Sequence, residues 1–246
     1  MLDKYFQLIT NQEEQNADVY IYGDITSWEW TQSDVSSYTL AKALMELDPE
    51  ITHINVYINS YGGEVAEGLA IYNALKRHKA KVTTYCDGFA ASIASVIFMA
   101  GDERIMSNAS LLFIHNAWTY ASGNANDLRR QADNLEQITQ ASVNAYMERV
   151  DMEEDELKEL LDAETWMLAD KCLELGFATS IIAEKTNKTS QSVKKQMIDK
   201  LVVQQSSKED NSAVDGNTLE GGAEPTATGE EPKENMVVKF LENIIK

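Results

Sequence analysis

Over the first 184 residues, short apolar runs of strand type alternate with longer segments of helical spacing. Residues 17–22 (Ala-Asp-Val-Tyr-Ile-Tyr), 54–58, 81–86 and 111–115 read as strands. The apolar spacing over 33–47, 64–77, 90–100, 125–150, 153–161 and 168–175 predicts helices. Strand and helix in repeated succession predict an α/β fold with a largely parallel sheet and right-handed crossovers. Residues 90–100 are small and apolar on nearly every side, so that helix is expected inside the protein.

The rhythm stops after residue 184. From 205 to 234 the chain is mostly Ser, Asn, Gly, Thr, Glu and Asp, without aromatics, and holds two of the three prolines, Pro225 and Pro232. Such a segment cannot bury enough apolar area to offset its ordering entropy and is expected to be a disordered acidic linker. It separates a short amphipathic helix at 185–204 from a terminal one at 235–246, where Val237, Phe240, Leu241, Ile244 and Ile245 form a stripe. The terminal stripe has two readings, docking on its own domain or binding a partner.

Charge and composition exclude whole classes of function. With 21 Lys and Arg against 40 Asp and Glu, the net charge is −19. That charge repels nucleic acid and anionic lipid, so neither is an expected partner. No apolar run is long enough for a membrane span, and residues 1–16 lack the basic-then-apolar order of a signal peptide, which predicts a cytoplasmic protein. The two cysteines, Cys86 and Cys172, lie far apart without metal spacing and read as buried apolar residues in a reducing compartment. Three histidines in the whole chain rule out a His-rich metal site, and no cofactor motif appears.

Sites in parallel α/β sheets form where strands end and helices begin. Two such junctions carry glycine: Asn59-Ser60-Tyr61-Gly62-Gly63 after the second strand, and Asp87-Gly88-Phe89-Ala90-Ala91-Ser92 after the third. Each alone reads as a tight turn. His53 and His78 look like solvated edge residues, whereas His115 ends the apolar run Leu111-Leu112-Phe113-Ile114. A serine at a helix start, a double-glycine loop and a strand-end histidine on one sheet edge would supply a nucleophile, an oxyanion hole and a base. Ser95 is the competing serine, but its place within the apolar helix favours packing.

These segments resemble the Clp proteolytic subunits. Asn59-Ser60-Tyr61-Gly62-Gly63 is similar to the family's Asn-Ser-Pro-Gly-Gly, Gly88-Phe89-Ala90-Ala91-Ser92 to its Gly-x-Ala-Ala-Ser, and Ile114-His115 to its Ile-His. Glu164-Thr165-Trp166-Met167 and Gly176-Phe177-Ala178 resemble its closing segments. The variants at Tyr61, Asn116-Ala117-Trp118 and Trp166 look most like the Clp-like head-maturation proteases of tailed phages and prophages. The resemblance implies a Clp/crotonase-like fold with ββα-type crossovers. It implies Ser92 as nucleophile, His115 as general base, and the N–H groups of Gly63 and Ile93 as the oxyanion hole. It also implies a protein substrate, such as a capsid or scaffold protein, and a ring-shaped homo-oligomer joined through the helix at 125–150. Family members work with or without a separate ATPase, and nothing in this sequence identifies one.

One departure bears on activity. Thr179 stands where the closing segment is expected to place the acid of the triad, and a hydroxyl supplies no charge to an imidazolium. The alternatives are a slow site, a different acid drawn from Asp162, Glu164 or Asp170, or an inactive pseudo-protease serving as an assembly protein. An acyl-CoA enzyme of the crotonase superfamily is disfavoured, because such enzymes need no serine nucleophile. If Thr179 is the deficit, Thr179→Asp is expected to speed fluorophosphonate labelling.

Overall fold

Burial alternates along Asn16–Ile21: Ala17, Val19 and Ile21 are fully enclosed and their neighbours are partly exposed, the pattern of a strand with one face on the core. The structure, a computed structural model, describes residues 8–11, 15–29, 31 and 34–182. The segments expected at 185–204, 205–234 and 235–246 lie outside the described residues. In chain order the first elements are β1 (Leu8–Asn11), β2 (Asn16–Ile21), α1 (Ser37–Met45), β3 (His53–Ser60), α2 (Val65–Lys76) and β4 (Lys81–Ala91). Then come α3 (Ile93–Phe98), β5 (Glu103–Ser107), β6 (Leu111–Ile114) and α4 (Ala125–Met147). The last are α5 (Glu154–Asp162), β7 (Thr165–Leu168), α6 (Ala169–Glu174) and β8 (Ser180–Ile182).

The sheet runs β1-β2-β3-β4-β5-β8, parallel throughout except for β1 against β2. This is the mostly parallel α/β architecture that the strand–helix succession predicts. The strand β4 forks. Its first part, Thr83–Cys86, pairs with β5, and its end, Phe89–Ala91, pairs with β6, which in turn pairs antiparallel with β7. Along the outer face Tyr20, Tyr57 and Tyr85 stack across β2, β3 and β4 with centroids 4.9 and 4.8 Å apart, so cross-strand ring contacts reinforce the register.

Several elements depart from the predicted ones. The helix expected at 90–100 begins at Ile93, because Ala90 and Ala91 extend β4 to pair with Leu112 and Phe113. Alanine's helix preference is a few tenths of a kcal/mol and yields to a filled ladder. All six residues of α3 are buried, as its composition predicts. The helix expected from 33 starts at Ser37, capped by Ser36, whose hydroxyl accepts the Thr39 N–H. The strands β1, β5, β7 and β8 carry no strong apolar rhythm and exist through their partners. His78 is not a solvated edge residue: it is half-buried and its Nδ1 accepts the Ala80 N–H. His53 is exposed. Both cysteines are buried and unbridged, and burial pushes the thiols up to about 11 at Cys86 and about 12 at Cys172. No helix among the described residues is long and apolar enough to cross a membrane.

Arg104, only 6% exposed, closes the far side of the sheet. Its guanidinium donates to the carbonyls of Gly101, Gly176 and Phe177, joining the turn before β5 to the segment before β8. Replacing it with an apolar side chain strands three acceptors, each worth about 1 kcal/mol or more. Urea unfolding of Arg104→Met is therefore expected to show a loss of about 2–4 kcal/mol.

Candidate active site

The first glycine loop is built by its own polar residues. At Asn59 the β3–β4 register shifts, and the Asn59 side-chain oxygen accepts the Phe89 N–H at 3.1 Å. Ser60 Oγ donates to the Gly23 carbonyl at 2.6 Å and accepts the Gly62 N–H at 3.1 Å. Gly62 then lies against the other junction, where a Cβ would come within 2.7 Å of Ser92 Cβ. Gly63 is tighter still: its φ is +149° and a Cβ would sit 2.0 Å from the Ile25 carbonyl oxygen. Only glycine fits at either place.

Ser92 occupies the turn between β4 and α3 with φ 55° and ψ −129°, a backbone conformation that costs about 1–3 kcal/mol for a residue with a Cβ. Its N–H donates to the Phe113 carbonyl of β6 at 2.9 Å, which ties the turn to the histidine's strand. Its Oγ lies 2.7 Å from His115 Nε2, within the reach required of a nucleophile and its base. The imidazole stacks on Phe113 (5.1 Å between centroids), and Phe113 stacks on Trp166 of β7 (4.4 Å), so the ring is braced from its own sheet.

Glu164, in the turn just before β7, is the carboxylate whose charge acts on His115. Ile114 and Thr165 form the last pair of the β6–β7 ladder, and His115 and Glu164 are the residues just beyond it. Glu164 has φ 49°, the left-handed conformation, in the turn after α5. Burial holds the His115 pKa below its ordinary value, and the Glu164 charge pulls it back up. Asp162 instead accepts a hydrogen bond from Asn116 at 2.7 Å. Thr179 is engaged elsewhere: its Oγ1 accepts the Arg104 N–H at 2.8 Å and donates to the Arg104 carbonyl at 3.1 Å, on the β5 side of the sheet. The position expected to hold the acid is thus a main-chain clamp, and the carboxylate whose charge acts on His115 lies fifteen residues earlier. A predicted β6–β7 pairing would have drawn attention to Glu164 at its end, but the segment 165–168 lacks the alternation that marks a strand.

Ser92, His115, Gly63 and Ile93 all line one open cleft of about 600 Å³. The bridge between Gly63 and Ile25 uses the Gly62 carbonyl and the Glu64 N–H, which leaves the Gly63 N–H outside the ladder. Ile93 is the first residue of α3, where an N–H has no intrahelical partner. Among the described residues neither N–H is claimed, so two backbone donors flank the serine of a serine–histidine pair, the layout that serine hydrolases use for acyl transfer.

Residues 19–185 match the family described as Clp protease, and the chain belongs to that family. The ATP-dependent Clp protease proteolytic subunit of Deinococcus radiodurans is 32% identical over 155 residues, which covers 61% of this chain and 76% of that protein. The forked, mostly parallel sheet is accordingly the Clp/crotonase-like fold.

Because a base must be neutral to take a proton, activity is expected to rise with pH through the His115 pKa, with a midpoint below the free-histidine value of about 6.5. Removing the neighbouring negative charge lowers that pKa further. A pH–rate profile of Glu164→Gln is expected to show the acid limb displaced to lower pH and the plateau reduced about 10- to 100-fold.

Proposed function

We propose that this chain is a serine endopeptidase of Clp type in which Ser92 attacks the scissile carbonyl and His115 takes its proton. The Glu164 charge stabilises the cationic form of the imidazole, and the N–H groups of Gly63 and Ile93 receive the oxyanion. The observation that carries this reading is the 2.7 Å contact between Ser92 Oγ and His115 Nε2 at the head of the cleft. The reading as an idle assembly protein drew on Thr179. The Glu164 charge acting on His115 supports the active reading instead.

The substrate is a protein, as in the family. The motif variants at Tyr61, Asn116-Ala117-Trp118 and Trp166 support a role in processing a capsid or scaffold protein during phage or prophage head maturation. The working form is a ring-shaped homo-oligomer in the cytoplasm. Support for assembly comes from α4, which presents Leu128 (45% exposed) and Ile138 (40% exposed) to solvent.

Fluorophosphonate labelling tests the chemistry. Wild type is expected to label, Ser92→Ala not at all, and His115→Ala about 100-fold or more slowly. Thr179→Asp is expected to give no acceleration, because residue 179 faces Arg104 and an aspartate there loses the donor to the Arg104 carbonyl. Labelling of Ser92→Ala at the wild-type rate would sink the assignment. Co-expression of a candidate capsid precursor with wild type and with Ser92→Ala, followed by N-terminal sequencing, tests the processing role.

A further inference from the structure

A buried hydroxyl pair stands directly behind the catalytic turn. Ser95 Oγ is hydrogen-bonded to the Ser92 carbonyl and also lies 2.6 Å from the Tyr146 hydroxyl of α4. Ser95 is 0% exposed and Tyr146 2% exposed, with the tyrosine ring packed edge-on against Phe177. The direction of the bonds follows from the donors available. A carbonyl only accepts, so Ser95 donates to Ser92, and the hydroxyl of Tyr146 then donates to Ser95. Burial raises the Tyr146 pKa, which keeps that proton in place.

The Ser92 carbonyl shares its peptide group with the Ile93 N–H. A trans peptide is planar, with C=O and N–H on opposite sides, so holding the carbonyl inward aims the Ile93 N–H outward. Ile93 lines the cleft. The same carbonyl also accepts the Ser95 N–H at 2.9 Å, so two donors fix it. Hydrogen bonds accepted at a carbonyl polarise the amide and strengthen the N–H at its other end. Ser92 itself gives no help as a helix cap: it makes no side-chain capping bond, its Oγ lying instead at His115.

We propose that Ser95 and Tyr146 are positioning residues for the oxyanion hole, a relay from α4 that orients and polarises the peptide carrying the Ile93 N–H. This rests on the reading of Ser92 as nucleophile and Ile93 as oxyanion donor. Tyr146 also borders the cleft, but its hydroxyl is engaged with Ser95, and both residues act through one peptide plane. The relay also explains a polar serine inside an otherwise apolar helix, a position where packing alone would favour alanine.

The test uses the full chain and compares Tyr146→Phe, Ser95→Ala, the double variant and Ser92→Ala. Fluorophosphonate labelling gives a rate constant and an end-point stoichiometry, and hydrolysis of a fluorogenic peptide amide gives kcat and KM. Tyr146→Phe keeps the ring and its packing, so it carries the test even if Ser95→Ala is poorly folded. The expected result for Tyr146→Phe is a fall of about tenfold in kcat and in labelling rate, smaller than the roughly 10²–10³ for deleting an oxyanion donor. KM should stay within about twofold and labelling should still reach the wild-type end point, because positioning acts on the transition state rather than on substrate binding. The double variant should be no slower than Ser95→Ala, since Tyr146 acts only through Ser95. Unchanged kcat and labelling rate in Tyr146→Phe, or a loss explained wholly by a smaller labelled fraction, would overturn the relay. Turnover persisting in Ser92→Ala would overturn the nucleophile assignment and the relay with it.

Discussion

The hydrogen bond from the Ser92 N–H to the Phe113 carbonyl joins the two strands on which the candidate site is built. The strand β4 cannot pair with β5 and β6 along its whole length at once, so it forks, and on the β6 side its end is held by the short Phe89–Ala91 ladder and this bond. The bond sits at a residue with a strained backbone, and it fixes the serine relative to a histidine two residues beyond Phe113. Without it the turn has no reason to keep φ at 55°, since a residue with a Cβ gains about 1–3 kcal/mol by leaving that region.

Strain at Ser92 is matched by close approach at the glycine loop. Gly62 meets Ser92 where any side chain would collide, and Gly63 lies against Ile25 with no room for a Cβ. Asn59 and Ser60 hold that loop through bonds to Phe89, Gly23 and Gly62, so the two glycine junctions are parts of one structure. The site is thus mostly backbone, set by sheet register. The charged groups adjust it: His115 is balanced between burial, which favours its neutral form, and Glu164, which favours the cation formed during proton transfer.

The strands and helices of the central sheet were legible because one face of each is buried and the periodicity shows it, as along β2 and β3. The strand end of β4 was not legible, since Ala90 and Ala91 suit a helix by propensity and become a strand only by pairing with β6. The acid was not legible for a related reason. Its place depends on an antiparallel register between β6 and β7, and β7 has the burial pattern of a strand exposed on most of its length. Thr179 holds the expected place in the closing segment, but its hydroxyl is spent on the main chain of Arg104.

Residue order alone determined the α/β class, the two glycine junctions and the candidate serine and histidine, because these follow from local periodicity and from residue types that tight turns demand. Which carboxylate faces the histidine, where the strand gives way to the helix at Ser92, and which buried hydroxyls stand behind the oxyanion donors were decided by tertiary structure. Those choices depend on pairing between segments 23 to 75 residues apart, and such pairings leave no mark on the local pattern of either partner.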